Sequence, residues 1–166
     1  DTVLKQRGIS EEFFKKYLRR FFGTNIYASI NLGTFSSGRA YEPDFAFIDP
    51  ITNLHIDIEI DEQYTISNST PIHYAGADDY RNIFFTSNRW IVIRFAESQV
   101  VYQPESCCKK IAEVISSVTL DETYRSKFTN IDDLTTLKQW TQEEAIDAIK
   151  SKSRNQLIDF IKSKNL

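Results

Sequence analysis

Apolar side chains recur along this chain with two periods, and each period indicates a type of secondary structure. Near the N-terminus Phe13, Phe14, Leu18 and Phe21 follow one another at helical spacing. A serine stands at the start of this run and a glycine directly follows it, as is common at the two ends of a helix. The spacing predicts a first helix over residues 10–22.

A shorter, alternating period then follows and predicts three β-strands. They cover residues 24–32, 41–48 and 54–61. The Gly- and Ser-rich stretch 33–40 separates the first two strands, and the turn residues 50–53 join the second to the third. The second and third strands therefore form a predicted β-hairpin.

The second half of the chain is predicted to be mainly helical, with one further strand. A polar loop covers residues 62–76, a helix residues 77–88 and a buried strand residues 90–95. Pro104 fits the first turn of the next helix, where its missing N–H costs little. Because residues 122–166 contain neither proline nor glycine, they can be helical throughout.

Two helices are predicted within this last part, over residues 141–150 and 155–162, and the first opens with capping-box spacing. The order α-β-β-β-α-β-α with a helical C-terminal extension predicts an α/β fold with a mixed central sheet. We expect an α/β core over residues 1–118 and an extension over residues 119–166 that packs on it.

The register of the predicted hairpin follows from its turn. If residues 50–53 form the turn, Phe45 pairs with Ile58 and Phe47 with Ile56, which places all four apolar side chains on one face. The opposite face of the third strand carries alternate polar residues, most of them acidic. These acids therefore meet the acids of the second strand across the hairpin.

Two pairs of carboxylates are opposed in this register, Asp44 with Glu59 and Glu42 with Asp61. Like charges in such positions repel each other. A protonated acid, neighbouring arginines or a divalent cation can each relieve that repulsion. Oxygen ligands without a nearby cysteine favour Mg²⁺ or Mn²⁺ over zinc, so we expect a metal site, with a solvated acidic face as the alternative.

Composition limits the classes of protein that fit. Hydrophobic residues make up 41% of the chain and charged residues 26%, which is typical of a globular protein. No apolar run is long enough for a membrane span and no signal-peptide pattern opens the chain, so we expect a cytoplasmic protein with no membrane partner. The adjacent Cys107 and Cys108 fit a reduced pair on a helix. A start at Asp1 and the absence of methionine indicate a trimmed protein or a domain of a longer one.

The net charge of -3 does not by itself favour nucleic acid as a partner. Basic residues nevertheless concentrate near the N-terminus, among them Lys15, Lys16 and Arg19, while acids concentrate between residues 42 and 62. A basic face beside an acidic pocket is compatible with a polyanion that binds through metal ions. These three side chains either contact phosphate or are solvated charges on the outer side of the first helix.

The acidic hairpin resembles a known family. Pro43-Asp44, followed after fourteen residues by Glu59-Ile60-Asp61, resembles the motif of the PD-(D/E)XK nuclease superfamily. The core order of that superfamily, one helix, three strands, a helix and a strand, also matches the predicted order here. The resemblance implies a restriction-endonuclease-like fold, DNA as the substrate and Mg²⁺, with Mn²⁺ as a substitute, as the cofactor. It also implies that Asp44 and Glu59 bind the metal with help from the main-chain carbonyl of Ile60.

The chain departs from the family motif at the third position, where Asp61 replaces the usual lysine. Some relatives, similar to very-short-patch-repair endonucleases, have an acid-x-Asp version followed by an Asp-x-x-Arg helix and a Trp-containing strand. Asp78, Arg81 and the strand that begins at Trp90 resemble this continuation. In this variant class Asp61 is a further ligand or a base that orients water. Arg81 contacts phosphate, steadies an acid, or pairs with Asp78 one helical turn away.

Four more residues can assist such a site. Glu42 would be an outer or second-metal ligand, Glu12 an extra ligand from the first helix, Gln63 a group that orients water or substrate, and His73 a general base. Helix capping is the simpler interpretation of Glu12. A surface position or a hydrogen bond within its loop is the simpler interpretation of His73.

Two functions are consistent with these patterns. The first is a Mg²⁺-dependent DNA endonuclease with Asp44, Glu59 and Asp61 as its catalytic residues. The second is a nuclease-fold module that binds nucleic acid or another partner without catalysis, because the motif lysine is missing. A homodimer or an additional domain outside this chain is compatible with either function.

Overall fold

A computed structural model describes residues 8–28, 30 and 41–164 of the chain. Its strands are Ile26–Ala28 (β1), Phe45–Asp49 (β2), Leu54–Asp61 (β3) and Ile91–Ala96 (β4). They form one sheet in the order β1-β2-β3-β4. The first three strands pair antiparallel, and β3 and β4 pair parallel, so the sheet is mixed, as predicted.

Six helices accompany the sheet in the described part of the chain. They are Ile9–Phe22 (α1), Asp79–Ser87 (α2), Glu97–Tyr102 (α3), Pro104–Thr119 (α4), Gln142–Ser151 (α5) and Ser153–Lys164 (α6). Short 3-10 turns occur at Gly23–Asn25 and Arg125–Phe128. None of the described helices has the length and apolar character that a membrane crossing requires.

The register of the hairpin confirms the prediction. Phe45 pairs with Ile58 and Phe47 with Ile56. All four side chains are completely buried. A shift of the register by one residue would turn this apolar set toward the acidic face, so burial fixes the pairing.

The apolar face of the sheet packs against α1. Phe14 of this helix meets Phe45 and Phe95 in edge-to-face contacts, with ring centres 6.5 and 6.1 Å apart. Gly23 directly follows the helix with a φ of 60°, a conformation that costs glycine little. The predicted first helix is therefore confirmed to within a residue at its start, and its aromatic stripe lies in the core.

The C-terminal extension also contributes to this core. Leu157 and Ile161 of α6 belong to the main cluster of buried apolar side chains. Burial of a leucine or isoleucine contributes about 1.5 to 3 kcal/mol each. Side chains of α1 belong to the same cluster. The final helix is thus held against the α/β core by apolar contacts in the cluster that also holds α1.

The expectation that the last part of the chain is helical throughout is wrong. Residues 129–141 have no regular secondary structure. Gln99 donates to the main-chain oxygen of Thr135 at 2.8 Å, and Lys109 donates to that of Ile131 at 2.6 Å. The side chains of Asp and Thr residues form local hydrogen bonds with the main chain that compete with those of a helix, and this stretch lacks a helical apolar period. The absence of Pro and Gly is therefore not enough to predict a helix.

Other boundaries differ by smaller amounts. The helix α2 begins two residues later than predicted, and α3 was not predicted at all. The predicted strand 24–32 is confirmed only for the three residues of β1. Its first two residues belong to the 3-10 turn instead, and its end lies partly outside the described residues. The predicted Gly/Ser turn region 33–40 lies outside them entirely.

Candidate metal and acid-base site

The alternation of β3 places Asp57, Glu59 and Asp61 on the sheet face opposite the aromatic core. Asp44 directly precedes β2, so the hairpin register brings it beside Glu59. The N–H of Asp44 donates to Oε1 of Glu59 at 3.1 Å, and the N–H of Ile60 donates to Oδ2 of Asp44 at 2.9 Å. The two carboxylates that were predicted to face each other therefore lie side by side.

Arg81 on α2 brings a positive charge to this acidic face. Its Nη2 donates to Oε1 of Glu59 and, at 3.1 Å, to the main-chain oxygen of Glu42. The same nitrogen lies 3.7 Å from Oδ1 of Asp57. Among the alternatives for Arg81, these contacts favour the one in which it steadies an acid over the ion pair with Asp78.

Asp57 is an acid that was not predicted to belong to the site. Its side chain is completely buried, and neither oxygen accepts a hydrogen bond from a described residue. Burial, and then the nearby Glu59 carboxylate, raise the pKa of Asp57 to about 9. Asp57 is therefore protonated and neutral at pH 7, which relieves repulsion on this face. Its place in the alternation of β3, next to the motif acids, was the signal that could have identified it.

Asp61 belongs to a neighbouring group of side chains around Arg94 of β4. Arg94 donates to both oxygens of Asp61, from Nε at 2.9 Å and from Nη2 at 2.6 Å. The same Nη2 lies 2.9 Å from Oδ2 of Asp78 and 3.1 Å from Nδ1 of His73. The aspartate at the third motif position is thus engaged by an arginine from the adjacent strand.

The predicted pairing of Glu42 with Asp61 is not what the structure shows. Regular pairing of β2 begins at Phe45, so the register does not extend as far as Glu42. Glu42 lines the cavity beside Asp44, whereas Asp61 lines a neighbouring cavity. The hairpin therefore brings together one acidic pair rather than two.

His73 lies in the loop before α2 and has a φ of 51°, which is uncommon for a residue other than glycine. Its Nδ1 lies 2.9 Å from Oδ2 of Asp78. Burial opposes protonation, but the hydrogen bond to Asp78 and the charge of Asp61 outweigh it, so the pKa of His73 is raised. When Nδ1 donates to Asp78, Nε2 is the nitrogen that remains for proton exchange.

Asp61, His73 and Asp78 also offer ligand atoms within 4.8 Å of one another, a spacing that a metal ion could use. Arg94 contacts all three side chains, so a cation already lies among them. A metal ion in this place would have to displace the guanidinium. The group is better described as an ion-pair cluster.

A cavity of about 460 Å³ opens beside Asp44 and Glu59. The acidic residues of its lining are Glu11, Glu42, Asp44, Glu59 and Glu62. The basic side chains of the lining belong to Arg81, Arg154 and His73. A surplus of carboxylates and the lack of sulfur ligands suit a hard divalent cation. Asp44, Glu59 and the carbonyl of Ile60 are the groups that would hold it.

Three residues of this cavity were not predicted from the sequence, namely Glu11, Glu62 and Arg154. On α1 the structure turns Glu11 inward, whereas Glu12 is exposed and bonds Lys15 at 3.3 Å. The helical period could have identified Glu11, because Glu11 lies at helical spacing from the buried aromatic residues of α1 and so shares their face. Arg154 comes from α6, and no local pattern connects that helix with β3.

The remaining predicted residues lie away from the cavity. The side chain of Gln63 accepts a hydrogen bond from Ser153 at 3.4 Å and faces the neighbouring cavity. Lys16 and Arg19 are exposed on the outer side of α1, and Lys15 is partly exposed. Their predicted contact with phosphate stays a prediction.

Comparisons with models of known protein families, with curated proteins and with solved structures find no match for this chain. The chemistry of the site is therefore the basis for a functional assignment. Its main elements are the adjacent carboxylates of Asp44 and Glu59, the surplus negative charge of their cavity, and a histidine whose tautomer Asp78 can fix.

Proposed function

We propose that the protein is a metal-dependent endonuclease that hydrolyses phosphodiester bonds of DNA. The observation that carries this proposal is the contact between Asp44 and Glu59, which share a negatively charged cavity with Ile60. The element order supports a restriction-endonuclease-like core, because α1, an antiparallel three-stranded unit, α2 and the parallel strand β4 follow one another. The Mg²⁺ or Mn²⁺ requirement follows from the oxygen-only ligand set.

The residues around the cavity have distinct roles in this proposal. Asp44, Glu59 and the main-chain oxygen of Ile60 would hold Mg²⁺, which when bound lowers the pKa of water and neutralises phosphate charge. Arg81 orients Glu59 through its hydrogen bond to Oε1. The oxygen that remains on Glu59 can then turn to the cavity.

Proton transfer falls to His73 in this proposal. Its Nδ1 is tied to Asp78, so Nε2 can accept a proton from the attacking water. Asp61 would orient Arg94 rather than water, since both of its oxygens accept hydrogen bonds from that guanidinium. A positive charge therefore stands beside the motif position that usually carries lysine.

Cleavage of plasmid DNA in the presence of Mg²⁺ or Mn²⁺ tests the proposal. We expect the wild-type protein to cut, and Asp44→Asn to lower the rate by roughly two orders of magnitude, because a metal ligand is lost. Asp49→Asn is the matched control at the other end of β2, where Asp49 accepts hydrogen bonds from Ile51 and Thr52. It should cut like the wild type. No cleavage by the wild type with either ion would contradict the proposal.

The engagement of Asp61 by Arg94 favours a second candidate, a nuclease-fold binding module without catalysis. The group at the position of the motif lysine is then structural and does not activate water. Calorimetric titration with Mn²⁺ separates the two candidates. Binding that Asp44→Asn abolishes supports the endonuclease, whereas no binding by the wild type favours the inactive module.

A further inference from the structure

A second cavity, of about 420 Å³, lies beside the cavity of Asp44 and Glu59. Arg154 lines both cavities, and Asp61 at the end of β3 forms part of the wall of the second one. The irregular segment 137–140 and the helix α6 supply further walls. Cavities from about 300 to 1,000 Å³ hold small ligands in proteins. The second cavity is therefore large enough to take one unit of a DNA strand that lies at the first.

The carboxylates of the second cavity already have partners within the protein. Arg94 donates to both oxygens of Asp61, and Arg154 donates to both oxygens of Glu97. Glu144 accepts a hydrogen bond at 2.7 Å from the main chain at the start of α5. Each acid of the lining is thus engaged, two of them by an arginine. The second cavity consequently lacks the surplus of negative charge that marks the first, and a polar ligand without positive charge suits it.

The polar groups that remain for a ligand are two amides and one ammonium group. The amide of Gln63 accepts a long hydrogen bond from Ser153, at 3.4 Å. Gln139 and Lys138 are exposed, and within the described part of the chain neither side chain has a hydrogen bond or an ion pair. Amide side chains bind the edges of nucleobases, because both offer a donor beside an acceptor, and lysine binds phosphate. The available polar groups therefore match a nucleobase and its phosphate.

Trp140 gives the second cavity an aromatic surface. Its Nε1 donates to the main-chain oxygen of Ile72 at 3.1 Å, which fixes the ring, and the side chain is partly exposed. Trp90 packs against two other rings, with ring centres 5.0 and 5.5 Å apart, whereas Trp140 stacks on no aromatic ring of the described residues. Leu137 lines the same cavity and is 50% exposed. A planar base can stack on such a surface whatever its sequence.

We propose that the second cavity is a nucleobase pocket, which takes a base next to the phosphate held at Asp44 and Glu59. The base lies against Trp140 and Leu137, and the two amides contact its edge. The inference rests on the proposed function, since it concerns the same DNA strand. A base inside a duplex is paired and stacked, so the pocket takes only an unpaired base. The favoured substrate is accordingly single-stranded DNA or DNA with unpaired bases.

Fluorescence anisotropy with a short, labelled single-stranded DNA tests the inference in EDTA, where no metal-dependent cleavage occurs. A strand of equal length that consists of abasic sites has the same charge and no bases. We expect the wild type to bind the normal strand about tenfold more tightly than the abasic strand, as is typical of base stacking on an aromatic side chain. The ratio of these two affinities is the base preference.

Variants of the lining test whether the base preference arises in the second cavity. Leu137→Ala and Trp140→Leu should each lose most of the preference, whereas Lys138→Gln should weaken binding of both strands alike, because it removes a phosphate contact. Leu120→Ala is the matched control, since Leu120 is 87% exposed at the end of α4 and does not line this cavity. It should keep the preference. Leu137→Ala decides the matter if Trp140→Leu fails to fold.

The fluorescence of Trp140 gives a direct measurement of stacking. Trp90→Phe leaves Trp140 as the only tryptophan of the chain. In this variant the normal strand should quench the tryptophan fluorescence, because a base then stacks on the indole, and the abasic strand should not. Equal effects of the two strands would overturn the contact with Trp140.

The possible outcomes separate this inference from the proposed function. Equal affinity of the wild type for both strands overturns the inference, and metal-dependent cleavage in the same protein would leave the proposed function intact. A base preference that persists in Leu137→Ala and Trp140→Leu also overturns it, because the bases then bind elsewhere. A preference that both variants lose, without cleavage of any DNA, supports the inference and rejects only the nuclease activity. A wild type that neither binds nor cleaves DNA overturns both.

Discussion

At the scale of single residues, the acidic face of β3 contains carboxylates in three different states. Asp57 is buried and neutral, Glu59 is bound by Arg81, and Asp61 is paired with Arg94. Neighbouring acids on one strand face are tolerable when their environments differ in this way. The pair of Glu59 with Asp44 lines the cavity of about 460 Å³.

Asp57→Asn tests the neutral state of Asp57 through the pH dependence of stability. The pKa is 3.8 for an ordinary aspartate and about 9 in the folded protein, so between these values the folded chain keeps a proton that the unfolded chain has released. The free energy of unfolding of the wild type should then fall as pH rises, by at most about 1.4 kcal/mol per pH unit. The variant lacks this dependence and should gain stability relative to the wild type with rising pH.

Urea denaturation of both proteins at about pH 5, pH 7 and pH 8.5 measures this difference. Glu113→Gln on α4, where the partly exposed Glu113 pairs with Lys110, is a control for the loss of one carboxyl group. A stability difference between Asp57→Asn and wild type that stays constant over this range would show that Asp57 is ionised in the folded protein.

At the scale of secondary-structure elements, the loop between β3 and α2 is held by the C-terminal extension. The indole Nε1 of Trp140 donates to the main-chain oxygen of Ile72 at 3.1 Å. The N–H of Ala75 donates to the main-chain oxygen of Trp140 at 2.9 Å. His73 lies between these two anchors with its unusual φ. The extension therefore stabilises the conformation of the segment that carries the histidine.

Trp140→Phe should loosen this loop, because it keeps an aromatic ring but removes the hydrogen bond to Ile72. We expect a loss of about 0.5 to 1.5 kcal/mol of stability and faster hydrogen exchange at the N–H of Ala75. Exchange monitored by NMR gives both quantities. Trp90→Phe, directly before β4, changes the other tryptophan of the chain and should leave exchange at Ala75 unaltered. Unaltered exchange in Trp140→Phe as well would show that the indole does not hold the loop.

The hairpin and the irregular stretch 129–141 show which parts of the fold a local sequence pattern can predict. The hairpin was predicted with its register because alternation over eight residues and a short turn leave few other ways to bury Phe45, Phe47 and Ile58. The irregular stretch 129–141 was not predicted, since its place is set by hydrogen bonds with Gln99 and Lys109 rather than by a period of its own.

At the scale of the whole molecule, the exposed basic residues of α1 lie outside the carboxylate-rich cavity. The acidic cavity is at the end of β3, whereas Arg19 and Lys16 project from the outer side of α1. The net charge of -3 does not reveal this local concentration of basic side chains. For a protein that acts on DNA, an exposed basic helix would contribute a salt-dependent attraction to phosphates.

Arg19→Gln tests whether this surface takes part in DNA binding. We expect affinity for a short DNA duplex to fall and the slope of log affinity against log salt to decrease by about 1, because one phosphate contact is lost. Fluorescence anisotropy over a range of salt concentrations measures the slope. Arg125→Gln is a matched control, since Arg125 is exposed and pairs with Glu122. An identical slope for Arg19→Gln and wild type would identify Arg19 as a solvated charge.

The sequence by itself determined the register of the hairpin and that Asp44 and Glu59 would adjoin. These properties depend on the side-chain period and on the length of one turn, both of which are local. The tertiary structure alone decided that Asp57 is neutral, that Asp61 is bound by Arg94, and that Arg154 enters the cavity. The state of an acid depends on its burial and on the charges around it, and here those come from strands and helices far away along the chain.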